Sequence, residues 1–99
     1  MVLVAIRLLE ESYPSELASL LGLRLFSVQG ILVAFEREGI IASRLLGRTR
    51  RVSLNPRYFA FKELDSLLWT LGKHDDELQQ MLATRRRRPR RPGKPGLPR

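Results

Sequence analysis

The chain has no cysteine, and with it go disulfides, thiolate metal sites and nucleophilic or redox thiol chemistry. Its single histidine, His74, stands beside Asp75 and Asp76 but cannot build a metal centre without further ligands, so no metal and no cofactor are expected. Aromatic residues are only 7% of the composition. No run of about eighteen apolar residues occurs, which excludes a simple membrane span, and residues 2–6 are too short and too soon followed by Glu10 and Glu11 to be a signal peptide. A soluble, cytoplasmic protein is expected, associated with the nucleoid if the host is prokaryotic. Paired carboxylates in a pocket, a Ser/His/Asp set and a phosphate-cradling glycine loop are all missing, so the reading is of a non-enzyme.

The last fifteen residues, 85–99, contain no acid at all. They carry eight of the 18 Lys and Arg, which leaves ten basic and ten acidic residues in 1–84, so the net charge of +8 belongs entirely to the C-terminal segment. A stretch of Arg, Pro, Gly and Lys alone except for Leu97 buries too little apolar surface to offset the entropy of ordering. A disordered basic tail over 85–99 is therefore expected, able to bind nucleic acid without sequence preference. Within 1–84 the charge is also uneven: Arg44, Arg48, Arg50, Arg51 and Arg57 follow one another with no acid among them, whereas Asp75, Asp76 and Glu77 cluster later. Such polarity suits orientation on a polyanion.

At 43% hydrophobic residues, 99 residues can bury one small core. Residues 1–12 place Val2, Leu3, Ile6 and Leu9 at helical spacing, predicting a first helix. Tyr13-Pro14 breaks it, because proline pushes the residue before it out of the α region and fits only the start of a helix itself. Residues 15–39 then hold the organising stretch. Leu17, Leu20 and Leu21 line one helix, with Ser15 or its neighbour as cap; Gly22 supplies the positive φ of a tight turn, with Leu23 expected to plug the gap between the helices. Val28, Ile31, Leu32 and Phe35 line the inner face of the next helix. Two short strands follow, 40–46 and 50–54, with Gly47-Arg48-Thr49 as turn. Val52 and Leu54 should point inwards, Arg51 and Ser53 outwards. Asn55-Pro56 reads as a cap and first position of a last helix. That helix sets Phe61, Leu64, Leu68, Leu71, Leu78 and Leu82 near a heptad spacing, which Asp75 interrupts and which Gly72-Lys73 could break.

The sequence resembles the winged helix-turn-helix regulators of the ArsR and MarR type. The residues that carry the resemblance are Ser15-Glu16-Leu17-Ala18-Ser19-Leu20-Leu21-Gly22-Leu23, Ser27-Val28, Phe35-Glu36-Arg37-Glu38-Gly39-Ile40-Ile41 and Gly47-Arg48-Thr49-Arg50-Arg51-Val52-Ser53-Leu54-Asn55-Pro56, about half the chain. The fold implied is mainly α with a small β-hairpin: a three-helix core, a two-stranded wing and a C-terminal helix, within a domain of 1–84. The function implied is a transcriptional regulator on double-stranded DNA. Its recognition helix would bring Ser27 and Gln29 to base edges and Val33 to a thymine methyl, with Arg24 and Arg37 at the backbone. Arg44, Arg48, Arg50 and Arg51 of the wing would meet phosphates or the minor groove. A homodimer through Phe61, Leu64, Leu68 and Leu71 is expected. Gly30 and Val33 stand where the resembled regulators usually carry polar side chains, and the alternative is a protein-interaction module that uses Phe26, Gly30 and Val33 to hold a protein partner.

Overall fold

The computed structural model describes residues 1–87, with side chains through 84, as five helices and a two-stranded antiparallel sheet. The segment 88–99, and with it most of the expected tail, lies outside the described residues. Helix α1 (Val2–Leu9) buries Val2, Val4, Ala5, Ile6 and Leu8, and ends three residues earlier than its spacing predicts. Glu10 closes it at φ 69°, a backbone state that non-glycine residues rarely hold. The reversal serves the sheet: Ser12, fully buried, exchanges both backbone hydrogen bonds with Val52, its N–H donating at 3.0 Å and its carbonyl accepting at 2.8 Å.

Helix α2 (Pro14–Leu21) has proline in its first turn and Tyr13, not Ser15, at the cap. No side chain caps its backbone; instead Ser12 Oγ donates to Glu16 Oε1 at 2.6 Å across the entry to the helix. Gly22 sits at φ 67°, and the N–H groups of Gly22 and Leu23 both close on the Ala18 carbonyl. Only a residue without a Cβ takes that conformation cheaply. The chain then bends through 119° into α3 (Leu25–Arg37). Leu23 is 40% exposed, so it does not plug this turn; the gap is filled by Leu17 and Leu20 of α2 and Val28 and Leu32 of α3, all buried.

Strands β1 (Ile41–Leu46) and β2 (Thr49–Leu54) pair throughout, with Gly47-Arg48 as a two-residue turn and Gly47 at φ 66°. The expected alternation holds for Val52 and Leu54, both buried. Asn55 does not start a helix. Its side chain donates to the Gly39 carbonyl at 2.9 Å and accepts from the Arg57 N–H at 3.0 Å, while its own N–H reaches the Ile40 carbonyl, so it ties the exit of β2 to the exit of α3.

Helix α4 (Phe61–Lys73) begins five residues after Pro56, because that tie and the turns following it use the chain first. It is fastened to α1 by the Arg7–Asp65 ion pair at 2.6 Å and by Arg7 over the Trp69 ring at 5.1 Å. Helix α5 (Asp76–Arg87) reaches three residues past the boundary expected at Thr84. Asp75 interrupts the apolar spacing because it caps this new helix, its Oδ1 accepting from the Leu78 N–H at 3.0 Å.

At Gly72 helix α4 lies tightly against Leu8 of α1: a Cβ built there would lie 2.7–2.9 Å from Leu8 Cδ1, Cδ2 and Cγ. Three atoms of one buried side chain would have to move together. Overpacking of this kind costs about 1–3 kcal/mol, against the roughly 1 kcal/mol that alanine gains in helix propensity. Gly72→Ala should therefore lower unfolding stability by about 1 kcal/mol, read from the denaturant midpoint; a rise would mean that Leu8 yields freely.

Candidate nucleic-acid interface

The face of α3 turned away from the core is set by helical spacing. Phe26, Gly30, Val33 and Arg37 fall at i, i+4, i+7 and i+11, opposite the buried Val28 and Leu32, with Gln29 on the side of the hairpin. Phe26 is 85% exposed and Val33 43%. Together with Gln29, Ala34 and Arg37 they border an open groove of ≈ 420 Å³.

A second concavity, ≈ 520 Å³, lies between the helices and the hairpin. One wall is Tyr13, Pro14 and Ser15 at the start of α2, the floor is Leu25 and Gln29 of α3, and the other wall is Arg48, Thr49, Arg50 and Arg51. Three arginines line it and no acidic residue does. Gln29 borders both concavities, so the groove along α3 and the cationic cleft adjoin at that residue.

The cations around it differ in what holds them. Arg51 lies over the Tyr13 ring at 5.0 Å, stacked and half-buried, with no ion pair among the described residues. Arg48, at the hairpin turn, is exposed and unpaired among the described residues. Arg50 is ion-paired to Glu36 Oε1, and the other oxygen of that carboxylate accepts from Ser43 Oγ at 2.8 Å. Glu36 thus clamps both strands of the hairpin to α3. Arg44 donates through Nε and Nη2 to Glu11 Oε2 at 3.1 and 3.0 Å. The run of hairpin arginines without an acid in sequence is consequently half neutralised in space, by carboxylates drawn from α3 and from the α1–α2 link. Such partly exposed pairs contribute little to stability, but each cancels a charge that the sequence counts as available.

Of the residues expected at DNA, Gln29, Arg48, Arg50 and Arg51 are brought together at the cleft, with Val33 and Arg37 on the adjoining groove. Arg24, the backbone cap of α3, and Ser27 are exposed but line neither, and Arg44 is turned to Glu11. Tyr13, Ser15 and Leu25 line the cleft and carry no sequence signal for it; Glu36 lines neither concavity but holds Arg50, 14 residues away in sequence.

The expected dimer seam does not form one face. Leu68, Leu78 and Leu82 are 5%, 0% and 3% exposed and belong to the core of their own chain, and Phe61 and Leu64 pack against that core. Only Leu71, at 51%, is open, beside Leu67 at 54%. The helix breaks at His74-Asp75, and Leu78 and Leu82 of the separate helix α5 are buried in the core of their own chain.

Among the described residues no group of three or more His, Asp or Glu could hold a metal ion, and no single helix is long and apolar enough to cross a membrane. No protein-family model, curated protein or solved structure matches the chain.

Proposed function

We propose that the chain is a winged helix-turn-helix protein that binds double-stranded DNA and acts as a transcriptional regulator, with α3 as recognition helix and the β1–β2 hairpin as wing. The observation that supports this most directly is the acid-free cleft between them, where Arg48, Arg50 and Arg51 face the start of α2 across Gln29 of the exposed helix. A duplex lying on this surface would place a phosphate strand along the cleft and base edges along α3. Arg48 and Arg51 would neutralise phosphates directly. Arg50 must exchange Glu36 for phosphate, a swap of one anion for another. Arg37, and Arg24 at the other end of α3, are in reach of the flanking backbone. A homodimer would rest on Leu67 and Leu71, the open leucines of α4, and would supply the second half-site.

The second reading, a module that holds a protein partner, draws on the apolar centre of α3, where only Gln29 and Ser27 offer polar base contacts. Selection of bound sequences from random duplexes separates the two. The DNA reading expects one sequence class to be enriched, with log K falling by about 0.9 per decade of salt for each phosphate neutralised. Retention of no duplex at moderate salt would leave the protein module as the reading that stands.

A further inference from the structure

Gly30 lies in the middle of α3, and a Cβ built on it meets no atom within 4 Å. Its φ is not in the left-handed region, and no neighbouring side chain needs the room, unlike Gly72 against Leu8. Mid-helix glycine destabilises a helix, so here the fold carries a cost with no return inside the chain. The open space lies in the groove between Phe26, one turn before it, and Val33 and Ala34, one turn after. It is a notch walled by Phe26, Val33 and Ala34, with Gln29 and Arg37 bordering the same groove.

In the major groove, thymine presents a C5-methyl beside its O4 acceptor, cytosine presents only a C5–H at that position beside its N4 donor, and the purine edges present donors and acceptors. An apolar notch placed over those edges leaves them unpaired as they lose water, and that is unfavourable. Resting on the DNA-binding reading, we propose that Phe26, Gly30 and Val33 form a reader of pyrimidine C5-methyl groups, the missing side chain of Gly30 admitting the methyl between Phe26 and Val33. The chemistry recognised is the methyl itself, carried by thymine or by 5-methylcytosine. Gln29, on the flank, is free to hydrogen-bond the adenine of the same or the next pair.

The test uses the whole 99-residue chain and duplexes that differ only at C5, in enough salt to weaken the sequence-independent phosphate contribution. One pair is an A·T-rich duplex with thymine against the same duplex with deoxyuracil; the other is a G·C-rich duplex with cytosine against 5-methylcytosine. Thymine should bind tighter than uracil by about fourfold for each methyl buried. A gain with 5-methylcytosine extends the site to methylated DNA, whereas a preference confined to thymine assigns the notch to A·T pairs. Gly30→Ala fills the notch, and should bring the thymine-to-uracil ratio close to one while raising the melting temperature by about 4 °C or more. Equal binding of thymine and uracil duplexes by the wild type, or an unchanged ratio in Gly30→Ala, overturns the methyl reader and leaves DNA binding intact. A chain that binds none of the four duplexes overturns both, and gives the groove to a protein partner.

Discussion

Leu68→Glu should unfold the domain, whereas Leu71→Glu, three residues along the same helix, should leave its melting temperature nearly unchanged. Leu68 is 5% exposed in the shared core of the chain. Its replacement removes packing worth about 2–5 kcal/mol and adds a carboxylate that must either be buried without a partner or take up a proton. A small domain has roughly 5–15 kcal/mol in all, so the loss approaches the whole. Leu71 is 51% exposed, and a substitution there should change stability by no more than about 1 kcal/mol. Circular dichroism during heating separates the two variants. Sedimentation of folded Leu71→Glu beside the wild type then reads assembly: a wild-type dimer at micromolar concentration that the variant turns into monomer places the interface on the open face of α4. If both variants melt like the wild type, Leu68 is not in the core and α4 does not pack against α1 through this face.

The triple replacement of Arg48, Arg50 and Arg51 by alanine should weaken duplex binding by about 100-fold at physiological salt and flatten the salt dependence by about 0.9 for each phosphate no longer neutralised. The three line one cleft, and removing them leaves its hairpin wall without a cation. Their contributions should differ. Arg50 differs from the other two because it holds Glu36, so its removal both takes away a cation and leaves that carboxylate without its counter-charge beside the DNA. Glu36→Gln should act in the opposite direction: it frees Arg50, removes one negative charge from the surface and keeps an oxygen for the Ser43 hydroxyl, so affinity should rise severalfold. Fluorescence anisotropy across a salt series measures both. Triple-variant affinity equal to that of the wild type would remove the hairpin from the interface.

Much of the chain's local structure is legible in its residues, because each of these features depends on neighbours in sequence. The break at Tyr13-Pro14, the left-handed turn at Gly22, the inner face of α3 and the hairpin around Gly47 all follow from backbone restriction or from periodicity within a few residues. Where α4 starts and whether its apolar spacing continues are not decided that way. Asn55 reads as a cap, but its side chain is used to hold Gly39, 16 residues away, and α4 must wait until Phe61. The heptad-like row from Phe61 to Leu82 is compatible with one long helix against a partner or two short ones against their own core. Asp75 capping α5 and Gly72 admitting Leu8 go with the second arrangement. Charge shows the same division. Composition determines that residues 1–84 are neutral and that the arginines of the hairpin have no acid next to them in sequence. Only the tertiary structure decides that Glu11 and Glu36 come to Arg44 and Arg50 while Arg48 is left without such a partner among the described residues, because an ion pair depends on distance in space, and the turns that bring α3 and the α1–α2 link to the hairpin leave no mark in the spacing of the charges themselves.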